Sequence, residues 1–161
     1  MNPLQINRLT KAYQRGWTRK RFLAVDSLSL EIRKGEIFGF LGHNGSGKIT
    51  TIKMILGLVH PNEGSVLILG RDSREIDVKR SVGYLPESPY FYDYLTAEEF
   101  LGFYGKLFNM QGSQLACKID SLLELVGLKD ARRVPLRKFS KGMLQRAGIA
   151  QALINDPALV I

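Results

Sequence analysis

The chain has 161 residues, enough for one domain with a real core, and its 45% hydrophobic and 24% charged content is ordinary for a globular protein. No apolar run approaches a membrane span, residues 1–5 lack the features of a secretory signal, and a lone Cys117 rules out a disulfide framework and suits a reducing cytosol. A net charge of +8 is compatible with nucleic acid, with an anionic membrane surface, or with an acidic part of the protein lying outside the chain.

Leu4, Ile6 and Leu9 suggest a first strand, which leads to Tyr13. The basic stretch Arg15-Gly16-Trp17-Thr18-Arg19-Lys20-Arg21 reads as a solvated hairpin loop. The alternative is a contact to lipid headgroups or nucleic acid, with Trp17 as an aromatic platform. Val25, Leu28, Leu30 and Ile32 mark a second strand. Lys34-Gly35 then turns the chain into an apolar run, residues 37–41, expected to be a third.

That run feeds Gly42-His43-Asn44-Gly45-Ser46-Gly47-Lys48, and a helical pattern follows. Strand, glycine-rich turn and helix in this order form the layout of a phosphate-binding P-loop, G-x-x-x-x-G-K-[ST]. Its glycines allow the backbone amides to turn inward as a nest of donors for phosphate oxygens, the helix adds its positive end, and Lys48 supplies a point charge. The motif then requires Ser or Thr, whose hydroxyl is a Mg²⁺ ligand, and this chain has Ile49. Thr50 is no simple replacement, because the next helical position is rotated by about 100°. Ile49 is therefore either the loss of a metal ligand or the start of a packing stripe with Ile52, Leu56 and Val59.

The helix is expected to end near Gly57, with a turn at residues 60–64 and a strand over 65–69. His43 and His60 are not grouped with other ligands, which argues against a metal site through them. Residues 82–87 read as a short buried strand leaving into a loop, followed by the aromatic cluster Tyr90, Phe91, Tyr92 and Tyr94. Thr96 and Glu99 form a capping box for a helix carrying Phe100, Leu101, Tyr104 and Leu107. Ser113 is expected to cap the next helix, with Leu115, Ile119, Leu122, Leu123 and Val126 as its apolar face and Gly127 as its stop; Cys117 would be a half-buried thiol on it. Ser140 is expected to cap a long helix over 141–155, with Leu144, Ala147, Ala150 and Ile154 inward. Residues 158–161 open a last buried strand after Asp156-Pro157.

Four motifs in order now resemble one family: the P-loop, Gly83-Tyr84-Leu85-Pro86-Glu87, Phe139-Ser140-Lys141-Gly142-Met143-Leu144-Gln145-Arg146, and Asp156-Pro157-Ala158-Leu159-Val160-Ile161. Over essentially its whole length the chain resembles the ATP-binding domain of an ABC transporter, and its Lys-Gly-Met signature looks like the exporter-type version. The resemblance implies an α/β fold, a P-loop NTPase core (about residues 1–88 and 156–161) with an inserted helical subdomain (about 89–155). It implies ATP and Mg²⁺ as ligands, the Mg²⁺ site being incomplete here. Tyr13 would stack on adenine; Gly42, His43, Asn44, Gly45, Ser46, Gly47 and Lys48 would hold the phosphates, with Ile49 next to them and Thr50 at the α-phosphate. Ser140, Lys141 and Gly142 would meet the ATP of a second subunit. Glu87 stands where the family usually has Gln and is either a Mg²⁺ ligand or a solvent-facing loop residue. The aromatics 90–94 would dock a transmembrane subunit or pack under the helices. Such a subunit works at the inner face of the cell membrane, coupling ATP hydrolysis to transport.

In the family a strand like 158–161 runs on into a Walker-B Asp and a Glu, a dimer-contact loop and a switch histidine, none of which occurs in these 161 residues. The expectation is an N-terminal fragment that binds nucleotide weakly, hydrolyses none, and exposes apolar faces. Two other functions are compatible with the residues: a non-catalytic nucleotide-binding or interaction protein, and a soluble ABC-type ATPase acting on nucleic acid.

Overall fold

The computed structural model describes residues 2–15, 20–87, 89 and 91–161, and these divide into two compact units after Lys79. Gly16, Trp17, Thr18 and Arg19 of the basic stretch, and Tyr90 of the aromatic cluster, lie outside the described residues.

The first unit is built on an antiparallel sheet of order β2-β1-β3-β4: β1 Leu4–Arg15, β2 Lys20–Ile32, β3 Glu63–Ile68 and β4 Arg71–Asp72. Side chains alternate faces along a strand, so Leu4 and Ile6 share one face and Leu9 would fall on the other. Yet all three are buried. A bulge resolves this: between Ile6↔Leu30 and Leu9↔Leu28 β1 carries one more residue than β2, and Arg8 takes φ 43. Ser27, at φ 46, sits in the compensating irregularity on β2. Gly64 enters β3 at φ 82, where a Cβ would run into the carbonyl oxygens of Asn7 and Arg8. The turn at 60–64 is tied to β1 by Lys11 Nζ donating to the His60 carbonyl (2.7 Å) and Asn62 Oδ1 accepting from the Ala12 amide (2.7 Å).

Helix α1, Lys48–Ile55, ends at a Leu56 cap with Gly57 left-handed at φ 66. It buries Thr51, Met54 and Ile55, while Ile49 is 63% exposed. The apolar stripe starting at Ile49 is therefore not the packed face. The expected strand over 37–41 also does not form: the segment joins neither sheet, and Ile37 and Leu41 are 101% and 92% exposed. An apolar run becomes a buried strand only where neighbours pair its edges and cover its faces, and nothing among the described residues pairs with it. A short helix, α2 Ile76–Lys79, closes the unit.

The second unit packs three helices, α3 Ala97–Leu107, α4 Gly112–Leu125 and α5 Lys141–Ala152. Phe100, Leu101, Ile119, Leu123, Leu136 and Ile154 lie in one core. Beside it Phe91, Phe100, Tyr104, Phe103 and Tyr92 touch edge to face, each ring centroid 5.1–5.5 Å from the next. The capping box of α3 is present in both directions, and Gly127 takes φ 64 after α4. Three local expectations are corrected. Helix α4 starts at Gly112, one residue before Ser113, because its cap Gln111 is extended and the left-handed Gly112 (φ 57) turns the chain into the first turn. Helix α5 stops at Ala152 rather than Asn155, whose amide instead donates to the Arg80 carbonyl at 2.7 Å. Cys117 is exposed rather than half-buried, since it lies on the side of α4 away from the buried Leu115, Ile119, Leu122 and Leu123. Strand β5, Val82–Gly83, pairs in parallel with β6, Leu159–Val160; residues 84–87 leave as a loop.

Candidate phosphate-binding site

The loop 42–47 is exposed to half-exposed and closes on itself. Gly45 and Gly47 both take φ 87, Ser46 donates its amide to the His43 carbonyl (3.2 Å), and the Thr51 amide donates to the Gly47 carbonyl (2.8 Å) as the helix begins. Gly47 is the N-cap of α1 and lies against β2, where a Cβ would collide with the carbonyl oxygen of Ala24. Positive φ and this close approach together leave room only for glycine. No side chain caps α1, so the first-turn amides have no side-chain acceptor.

Lys48 folds back over the loop, its Nζ donating to the carbonyls of Gly42 and of His43 (2.8 Å). An ammonium has three donors, so one remains for an anion held in the loop. This self-closure is not visible in the motif, which fixes the lysine's place but not its rotamer. His43 Nδ1 lies 2.9 Å from the Asn44 carbonyl oxygen and faces its own loop.

Tyr13 pairs with Phe22 across the β1–β2 ladder, and Phe22 lies two residues from Ala24, the strand contact of Gly47. Sheet and loop thus place Tyr13 on the strand pair that supports the phosphate loop. Its ring is 40% exposed, and the Lys11 ammonium lies 5.3 Å from its centroid. Lys11 was not legible as a site residue, although its i, i+2 spacing from Tyr13 is the signal for a shared strand face. Thr50 is half-buried and Thr51 is buried, 2% exposed.

In the second unit, Ser140 caps α5 by accepting from the Met143 amide (3.3 Å), and Ser140, Lys141 and Gly142 are all exposed, with open space around Gly142. Glu87 is exposed on the loop after β5.

A Mg²⁺ ion fits these residues poorly. The position that should offer a hydroxyl after the lysine carries the exposed hydrocarbon of Ile49, and among the described residues no three His, Cys, Asp or Glu side chains gather into a metal-binding group.

A loop with two left-handed glycines, a lysine closing it and a helix leaving it is the arrangement of the P-loop class of nucleotide-binding proteins. Comparison with known proteins narrows the class. Residues 25–161 match the family model described as ABC transporter. An uncharacterized ABC transporter ATP-binding protein of Nostoc is 46% identical over 155 residues, 94% of this chain and 46% of that protein. The bacitracin transport ATP-binding protein BcrA of Bacillus licheniformis is 41% identical over 86% of this chain and 45% of its own length. A solved structure titled as the ATP-binding subunit of an ABC transporter superposes with a TM-score of 0.82 at 29% identity, covering 98% of this chain and 64% of that one. The chain belongs to the ABC transporter family, in which it is an ATP-binding domain, and it has that domain's P-loop α/β fold. It spans about half the length of the curated relatives it matches.

Proposed function

We propose that this chain is the nucleotide-engaging part of an ABC transporter's ATP-binding subunit, holding ATP with Tyr13 on adenine and residues 42–48 on the phosphates, and Thr50 beside them. The observation that carries it is the closed loop: Gly45 and Gly47 left-handed, Gly47 pinned to β2, and Lys48 spanning the loop with a donor to spare. The exposed, capped start of α5 supports a role for Ser140, Lys141 and Gly142 toward the ATP of a second subunit, because its first-turn amides and dipole suit an anion.

No helix among the described residues is long and apolar enough to cross a membrane, and work at the membrane is proposed to run through a membrane-spanning subunit. An open groove lined by Tyr92, Tyr94, Leu95, Gly102, Phe103 and Lys106 is where we place it, since exposed aromatics are favoured interface anchors. In that assembly the subunit works at the inner membrane face, and ATP binding and hydrolysis by two such subunits drive transport.

The 161 residues alone are proposed to bind nucleotide weakly and to hydrolyse none. Phosphoryl transfer needs a positioned metal and an oriented water. Ile49 offers no metal ligand, and Glu87 is an exposed loop carboxylate. Titration with a fluorescent ATP analogue is expected to saturate for the chain and to fail for Lys48→Ala. Phosphate release by the pure chain should stay at the level of buffer. Equal binding by Lys48→Ala would remove the loop from the site, and Mg²⁺-dependent turnover would refute the inactivity.

A further inference from the structure

We infer that the loop of this chain takes its nucleotide without Mg²⁺, and that Mg²⁺ weakens rather than strengthens the binding. The inference rests on the nucleotide reading above and concerns the form of nucleotide the loop accepts. Its root is the pairing of an intact phosphate cradle with an apolar residue at the metal position. The loop's attraction for a polyphosphate is built from amides, the positive end of α1 and the remaining donor of Lys48. All of these act on negative charge, so the fully charged, metal-free polyphosphate is the form they favour. Chelated Mg²⁺ cancels two of its charges and so removes part of that attraction.

In an ordinary P-loop the loss is offset by the hydroxyl after the lysine, which ligates the ion. Ile49 has no oxygen to give, and its side chain is 63% exposed at the first turn of α1 rather than withdrawn into the core. Mg²⁺ dehydrates reluctantly and retains several waters. Its hydration shell would meet hydrocarbon here, with no acceptor for its protons. Neighbouring hydroxyls do not fill the gap. Thr51 is buried in the face that packs α1, and Thr50 points about 100° away around the helix. Among the described residues, no cluster of carboxylates or histidines provides another seat for the ion.

The test is a titration of the 161-residue chain with a fluorescent ATP analogue, in EDTA and in millimolar Mg²⁺ at matched ionic strength. Two variants accompany it, Ile49→Thr and Ile49→Val. Thr and Val have the same shape and differ only by the hydroxyl, so they separate the missing oxygen from the bulk of isoleucine. The wild-type chain and Ile49→Val should bind about three- to tenfold more tightly in EDTA, as expected for a site that reads charge alone. Ile49→Thr should reverse the order and gain from Mg²⁺. Tighter binding of the wild-type chain in Mg²⁺, or the same response in all three proteins, would overturn the inference while leaving the nucleotide reading intact. Absence of binding in both media would overturn both. The wild-type comparison decides the question alone should either variant fail to fold.

Discussion

Tyr13 is the residue proposed to join the sheet to the nucleotide. Its backbone is fixed by the ladder to Phe22, its ring is partly exposed, and Lys11 lies near its face, which adds positive charge to the same side. A ring that stacks on a base contributes about 1–3 kcal/mol and tolerates the base's identity. Tyr13→Ala should therefore weaken ATP and GTP binding alike, by about five- to a hundredfold, while Tyr13→Phe retains both affinities. If Tyr13 only packs locally, the Ala variant will melt at a lower temperature and bind unchanged, and calorimetry beside the titration separates the two outcomes. Gly47 offers a second check at this scale. Alanine there faces both φ 87 and the Ala24 carbonyl, so Gly47→Ala should lose nucleotide binding and several degrees of stability together.

At the scale of elements, α3 shows how local chemistry decides a boundary. Thr96 and Glu99 exchange hydrogen bonds, the Thr96 amide donating to the Glu99 carboxylate (2.8 Å) and the Glu99 amide to Thr96 Oγ1 (3.2 Å). Thr96→Ala should cost about 1 kcal/mol in urea unfolding. The Thr96 amide, then its hydroxyl, holds the Glu99 carboxyl below its ordinary range. The Arg132 guanidinium does the same for Glu98, with Nη2 at 2.7 Å and Nε at 3.1 Å from its oxygens; Asp120 braces Arg132 from the other side at 2.7 Å. For a carboxyl whose folded pKa is depressed, the unfolded chain binds more protons. The stabilisation is complete above the ordinary glutamate pKa of about 4.3 and is lost as pH falls through the folded value. Glu98→Gln should flatten that part of the stability profile and change little at neutral pH, because the pair is half exposed. A wild-type profile that is already flat on the acid side would contradict the assignment.

Capping boxes, the face of α4 and the glycine loop are written in residues within one or two turns of each other, so they were legible. The parity break at Arg8 was not, because a bulge depends on the register of two strands distant in sequence. Nor was the fate of residues 37–41: their apolar run specifies a strand only in the presence of edges to pair with, and that is a property of neighbours. At the site, the motif located Lys48 and Ile49 but could not show that Lys48 closes the loop or that Ile49 faces solvent.

For the molecule as a whole, charge and apolar exposure oppose each other. Ile37, Leu41, Leu58 and Ile76 of the first unit and Leu125 of the second are large side chains left open to water. Ile37 and Leu41 flank one unpaired segment, which adds unpartnered backbone groups to the apolar surface. Against association stands a net charge of +8, whose repulsion acts over about 10 Å at 0.1 M salt and about 3 Å at 1 M. The balance should therefore tip with salt. Light scattering from the chain should rise between low and molar sodium chloride, and a dye that fluoresces on apolar surface should bind at both concentrations. Ile37→Lys with Leu41→Lys should suppress both signals, since it removes the two most exposed of these side chains and adds repulsion where they stood. Lysines at Gln14 and Ser65, exposed positions on the sheet, add the same charge and leave the apolar segment in place. If that control suppressed association equally, net charge rather than residues 37–41 would be the governing term. A chain that stays monodisperse at molar salt and binds no dye would show that this segment is covered in solution.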